Sequence, residues 1–439
     1  MRRPEHLVVA LVLIAGAALG AWALWPTKVP DVRLPALDER ALFDPEQLRE
    51  AQQFERFLHW NSLASMVAVL IVLGLYAWRG HRLARESAAG RIGTGMLLGM
   101  LGLGILWITQ IPFGIVELWW ARRHDAADDV GYLEWLLSYW LSLSGEFAFI
   151  CLALVIVMGF AQVLRGRWWV AGAPTFVALY VLFSYTLPWL IPDDRPMRDP
   201  ALVTAAREYA REQGTEPIPV RIEEVSAYTD SPNAFAAGMD SSRKIFIWDT
   251  LLDGRFPDDE VRMVLAHEIA HHSREHIWKG VGWYALFAVP GTFLIALATR
   301  RRGSLREAQA VPVALFAFVA LSMAAQPIFN VVGRRMESEA DWVALETTED
   351  PDAARDLFVH FTEFALADPS PPSWASALFD THPTMLDRIR MAEAWRAARR
   401  GVPIPNPHPP GEAQGSGRLR GFSCRSCDDS STGAAGPRK

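Results

Sequence analysis

Residues 258–299 read DDEVRMVLAHEIAHHSREHIWKGVGWYALFAVPGTFLIALAT. The first half is charged and carries an apolar stripe at Val261, Val264 and Leu265, the spacing of an amphipathic helix. Pro257 precedes it, with Asp258 or Asp259 as the cap. The second half, 280–299, is uncharged and long enough to cross a bilayer as a helix. A surface helix therefore runs almost directly into a membrane span. That surface helix contains His267-Glu268-Ile269-Ala270-His271. Histidines four apart lie one turn apart on one helix face, where both imidazoles can grip one tetrahedral zinc. Glu268 is one step round the helix, placed to take a proton from the water that the metal activates.

Six more uncharged runs of spanning length occur at 7–25, 60–78, 92–116, 147–164, 168–192 and 309–333. Trp78, Trp119, Trp120, Trp168, Trp169, Trp189 and Trp283 stand near run ends, as interfacial anchors. The stretch 135–145 is apolar too, and either lies in the interface or extends the fourth span. The first run, behind Arg2 and Arg3, has a rival reading as a signal peptide, but it exceeds the usual apolar length of one. It is read as a span. The 51% of hydrophobic residues, including 18 Trp, thus concentrates in bilayer-length runs rather than in a soluble core. The net charge of −6 comes with no basic stripe, which excludes a nucleic-acid surface. Arginine is abundant and lysine nearly absent, the codon bias of a GC-rich genome and so of a bacterial source. Cys151 sits in an apolar run as a small core residue. Cys424 and Cys427 form a lone C-x-x-C, too few ligands for a structural zinc site.

Between the runs lie two polar blocks. The first holds an expected strand pair, 217–226 and 244–249, with Asp230-Ser231-Pro232-Asn233 as turn material. The second, from Arg334, reads mostly helical, and beyond Gly401 Pro, Gly and Ser dominate. This gives five spans in 1–192, a first catalytic part in 193–279, a membrane hairpin in 280–333, a second catalytic part in 334–402 and a tail in 403–439. Two crossings return the chain to its starting side, so both polar blocks face one compartment and can form one domain.

A catalytic zinc keeps three protein ligands. The third histidine of one common pattern would fall at Ile277, with Arg274 where a glycine belongs, so the ligand comes from elsewhere. The second block offers Glu337-Ser338-Glu339-Ala340-Asp341. Glu337 can ligate, Asp341 can orient a ligand imidazole, and Glu339 is a rival that points to another face. His382, in Thr381-His382-Pro383 before a helix carrying Arg388, can donate to a developing oxyanion. Pro383 suits a first helical turn. His272 reads as exposed and His276 as supporting the site.

On these residues the chain resembles the CAAX prenyl proteases of the sterile-mutant type, integral-membrane zinc proteases of the gluzincin kind, over about 37–400. His267–His271 with His276 is similar to their H-E-x-x-H-x-x-x-x-H. Glu337–Asp341 resembles their E-x-x-A-D, whose glutamate is the third zinc ligand. Thr381-His382-Pro383 resembles their H-P element, and Arg388 follows it. Ser231-Pro232-Asn233-Ala234-Phe235 resembles the edge strand that holds extended substrate by backbone pairing, so Asn233 and Ala234 are implied as substrate-binding. The resemblance implies a seven-span helical bundle around a chamber, with a small α+β catalytic domain at the membrane surface. Where the family continues with Gly-Phe-Asn, this chain has Trp119-Trp120-Ala121-Arg122-Arg123-His124.

The resulting expectation is a mainly α, membrane-embedded zinc endopeptidase with one Zn2+ per chain. Its partners would be a peptide or protein substrate and the lipid bilayer, and the sequence is silent on oligomeric state. A heat-shock-type quality-control protease is the near alternative, though such proteins have fewer spans. A protease-based sensor-transducer would need a ligand-binding domain. Arg79, Arg82, Arg85 and Arg91, Arg165 and Arg167, and Arg300, Arg301, Arg302 and Arg306 all fall on one side of a seven-span topology. The positive-inside rule makes that side cytoplasmic, so the catalytic side would face outward from a bacterial inner membrane.

Overall fold

The apolar runs fold as helices that outlast them. The computed structural model describes residues 3–402 except 86–88, 125, 127–130, 192–193 and 227–228, and leaves the side chains of 3–7, 85, 142, 144 and 146 aside. Cys424 and Cys427 lie outside the described residues. In chain order, α1 is Arg3–Leu24, α2 Glu39–Leu42, α3 Pro45–Arg79, α4 Gly90–Arg123, α5 Tyr132–Ser142, α6 Ser144–Leu164 and α7 Trp169–Thr186. After the short strand β1 (Asp194–Pro196) come α8 (Pro200–Glu212), β2 (Val220–Glu223), β3 (Ala234–Ala237) and β4 (Lys244–Trp248). Then follow α9 (Asp258–Ser273), α10 (His276–Thr299), α11 (Val311–Thr348), α12 (Pro351–Ala365), α13 (Ser373–Phe379) and α14 (Met385–Arg399).

Among the described residues, six helices are long and apolar enough to cross a membrane, and the protein is an integral membrane protein. The seventh expected span corresponds to α1, a shorter apolar helix over Val8–Leu24 that packs on α10. Most of the stretch 135–145 does not extend a span: 135–142 belongs to the separate helix α5, which ends at Leu143, and only 144–145 begin α6. Within the bundle, α4 presents Gly95, Gly99 and Gly102 on one face. A Cβ there would come within 2.3 Å of Met158, 2.2 Å of Leu154 and 2.3 Å of Leu315 side-chain atoms, so these side chains of α6 and α11 lie directly over the glycines. Two of the expected interfacial anchors are instead core residues. Trp168 is buried among α4, α6 and α11 side chains, and Trp283 is buried edge-on against Trp25. The departure at Trp119–His124 closes α4 onto α3: Trp120 stacks on Phe57 at 4.3 Å and donates from Nε1 to the Phe54 carbonyl.

Several helices continue from the bilayer into the polar region. α3 starts well before its apolar run, where Asp44 caps it by accepting from the Glu46 and Gln47 amides and Pro45 fills the first turn. The same Asp-Pro device starts α8 at Asp199 and α12 at Asp350. The cap expected for α9 is different. Pro257 holds the extended entry itself, and Asp258, Asp259 and Glu260 sit in the first turn, where negative charge favours the helix N-terminus.

The strands form one sheet in the order β1-β2-β4-β3. The expected strand pair exists, but β2 and β4 run parallel, because the chain between them is used to place β3 antiparallel on the outer side of β4. Asp230–Asn233 therefore leads into a strand rather than closing a hairpin. Buried side chains from Met197 to Ile269 and from Trp342 to Trp395 join in a single core, with Phe43 and Leu48. Gln213, at the end of α8, ties this core together. Its Nε2 donates to the Ala266 carbonyl of α9 and to Thr347 of α11, and its Oε1 accepts from Ser273.

Candidate metal centre

Two helices carry the site, and each is fixed by the membrane hairpin between them. α9 is buried on nearly every side, against the sheet, α8, α11 and α12. It ends at a tight turn where Glu275 adopts a left-handed conformation, and α10 begins at once. α11 is one helix of 38 residues whose first part is membrane span and whose last part lies beside α9. Among the described residues, His267, His271 and Glu337 form the group whose ligand atoms all lie within 4.8 Å of one another. His267 Nε2 is 3.2 Å from Glu337 Oε2, and His271 Nε2 is 3.5 Å from Glu337 Oε1. The two Nε2 atoms face each other at 3.1 Å.

The surrounding charges decide what can sit there. Asp341 Oδ1 lies 2.8 Å from His267 Nδ1, and a carboxylate only accepts, so Nδ1 carries the proton and Nε2 is turned to the centre. Arg388 grips Asp341 through Nε to Oδ2 at 2.8 Å and Nη2 to Oδ1 at 2.7 Å. Burial alone would lower the His267 pKa, but the Asp341 and Glu337 carboxylates at its two nitrogens raise it to about 10. Burial pushes His271 down to about 4, so it is neutral. Two imidazole nitrogens and a carboxylate turned to one point, with Glu337 Oε2 buried and without a hydrogen-bond partner, are a fitting donor set for a divalent cation.

Glu268 is held beside this centre. One carboxylate oxygen accepts from the Ala236 amide, and Oε2 is buried with no hydrogen-bond partner. Burial pushes its carboxyl up to about 7. The Ala236 contact is possible because β3 is the edge of the sheet. The Trp248 amide donates to the Asn233 carbonyl, so by the antiparallel alternation the backbone groups of Ala234 and Ala236 point to the free edge. Asn233 Oδ1 accepts from the Ala234 amide at 2.9 Å.

Residues 196–396 match the model of peptidase family M48. That stretch, just under half of the chain, is similar to peptidase family M48. An uncharacterised metalloprotease, YhfN of Bacillus subtilis (strain 168), is 25% identical over 272 residues, which take in 59% of this chain and 63% of that protein. The chain thus spans under two thirds of that relative. The crystal structure of S. mikatae Ste24p superposes with a TM-score of 0.67 over 89% of this chain and 99% of that one, at 18% identity, and shares its fold. The M48 match begins in β1 and ends in α14, and so contains the membrane hairpin as well as both halves of the site.

His382 lies at the open side of the His267, His271 and Glu337 centre, with Nε2 3.4 Å from Glu337 Oε2 and its side chain 56% exposed. Its loop is docked on α11. Asn330 donates to the Ala377 carbonyl, and Arg334 Nη1 to the carbonyls of Ser376 and Asp380. Gly333 lets the loop lie directly on the helix, since a Cβ there would stand 2.9 Å from the Thr381 carbonyl oxygen. Gly333→Ala is therefore expected to push His382 outward and lower peptide cleavage by about tenfold to a hundredfold, while zinc content stays at the wild-type level. Metal analysis beside a cleavage assay checks this.

Two expectations need correction. His272 is buried, not exposed: its Nε2 donates to the Lys244 carbonyl and docks α9 on β4, and burial pushes its pKa down to about 4. Pro383 stands before α14 rather than in its first turn, because Thr384 caps the helix by accepting from the Asp387 amide. Glu339 points to another face than Glu337, as expected, and there enters a buried cluster. Sequence reasoning missed Gly333, Gln213 and the surroundings of Glu339. Only Gly333 left a signal, a glycine one turn before Glu337 at the end of an apolar run.

Proposed function

We propose that this protein is a membrane-embedded, zinc-dependent endopeptidase acting on membrane-associated or unfolded polypeptides. The convergence of His267 Nε2, His271 Nε2 and the Glu337 carboxylate, with the Glu268 carboxylate beside them, carries this reading. His267, His271 and Glu337 would hold one Zn2+ per chain. Bound there, zinc acts as a Lewis acid that makes water a nucleophile at neutral pH. Glu268 takes a proton from the attacking water on its free Oε2 and passes it to the leaving amine nitrogen, a task suited to a carboxyl poised near neutrality. His382 donates from its ring to the oxygen of the scissile carbonyl as charge builds there. Asp341, held by Arg388, keeps His267 in its ligating tautomer, and His276 supports His271. Asn233 and Ala234 shape the edge of β3, where an extended substrate would pair by its backbone and lie across Glu268.

The site sits where α10 and α11 leave the bilayer, which favours substrates delivered at the membrane surface. The working parts are the spans in 1–192, catalytic segments 193–279 and 334–402, and the hairpin 280–333. The arginine-bearing loops gather at the opposite end of α10 and α11: Arg91 pairs with Glu307, and Gln162 donates to the Arg306 carbonyl. With that end cytoplasmic, the catalytic side faces outward from a bacterial inner membrane.

Metal removal tests the reading. Chelation is expected to abolish cleavage of an unstructured peptide, and one equivalent of zinc to restore it. Imidazole ligands bind zinc only when deprotonated, so zinc affinity is expected to fall as the pH is lowered. Cleavage that survives complete chelation would sink the proposal.

A further inference from the structure

We infer that Glu339 is a positioning residue for the metal centre, acting on His271 through His276. This rests on the reading of His267, His271 and Glu337 as the ligands. Glu339 is fully buried and surrounded only by donors. Its Oε1 accepts from the Lys28 amide at 3.0 Å and Arg274 Nε at 3.0 Å. Its Oε2 accepts from Lys279 Nζ at 3.0 Å and faces His276 Nε2 at 3.2 Å. On the other side of the ring, His276 Nδ1 is 3.0 Å from His271 Nδ1.

The direction of these bonds follows from what each atom can do. A carboxylate accepts only, so His276 Nε2 carries a hydrogen. In a singly protonated ring, His276 Nδ1 is then bare and accepts. His271 Nδ1 must supply that hydrogen, which leaves His271 Nε2 bare and turned toward Glu337. The carboxylate thus selects the ligating tautomer of His271 from two imidazoles away. Asp341 does the same for His267 directly. Each metal-binding histidine is therefore backed by its own carboxylate, one from each of two faces of α11. Residues from two separate segments, Lys28 and the α9–α10 turn with Arg274 and Lys279, hold the second carboxylate in place.

Glutamine cannot fill this role at position 339. All four neighbours are donors, so whichever way its amide turned, an NH2 group would face two of them. The test measures zinc dissociation constants by chelator competition on the detergent-solubilised full chain, for wild type, Glu339→Gln, His276→Phe and the double variant. Each single change is expected to weaken zinc binding by about 10–100-fold, and the double change no further than the weaker single, because one chain of bonds carries both. The absorption spectrum of the cobalt-substituted protein should shift in both singles alike. Affinities within about twofold of wild type in both singles, or losses that multiply in the double, would overturn the inference. A wild type that binds no zinc would overturn the ligand reading instead. Should Glu339→Gln fail to fold, His276→Phe decides alone: a loss of about 10–100-fold in zinc affinity is the expected result, and affinity within about twofold of wild type overturns the inference.

Discussion

Glu268→Gln is expected to lose about a thousandfold in peptide cleavage while holding zinc as the wild type does. The substitution is nearly isosteric, and a glutamine oxygen can still accept from the Ala236 amide that holds the carboxylate now. None of the three converging ligand atoms is touched. What disappears is the ability to take a proton and return it. Burial raises the carboxyl to about 7, near neutrality, where a general base is most effective. Turnover of an unstructured peptide, together with metal analysis of the same sample, gives the answer. Full cleavage by the variant would remove Glu268 from the mechanism. Lost zinc would mean that it holds the metal rather than the proton.

Arg388→Met is expected to damage both the fold and the site. Arg388 is buried, makes two hydrogen bonds to Asp341 and lies over the Phe358 ring at 4.2 Å. Methionine replaces the packing but leaves the Asp341 carboxylate in the interior with His267 as its remaining partner. Breaking such a buried pair costs about 3–5 kcal/mol. A loosened His267 should also weaken zinc binding by about 10–100-fold. Arg388→Lys keeps the charge without the paired donors, so it should fall between the two. Thermal melting and zinc competition on all three proteins check the order. A methionine variant as stable as the wild type would show that Asp341 needs no cation.

The sequence made some of this legible and hid the rest for physical reasons. His267 and His271 were readable because a helix turns a spacing of four into a shared face. Glu337 was readable because two membrane crossings bring its segment back to the same side. What the other faces of α9 and α11 meet has no local period. His272 and Glu339 are polar residues that look solvent-directed until Lys244, Arg274 and Lys279 are brought against them from elsewhere. β3 was legible only by resemblance, since Ala234-Phe235-Ala236-Ala237 lacks the β-branched residues that mark a strand. The parallel pairing of β2 with β4 depends on where β3 goes, and no property of the paired segments alone reveals that.

Helix α11 runs unbroken from lipid to Glu337 and Asp341. During synthesis, His267 and His271 leave the ribosome well before it. Until the α10–α11 hairpin has entered the bilayer, these histidines have neither their third partner nor the carboxylates that orient them. Insertion and maturation of the enzyme are therefore a single event, and a nascent chain that misses its membrane is born without a hydrolytic centre.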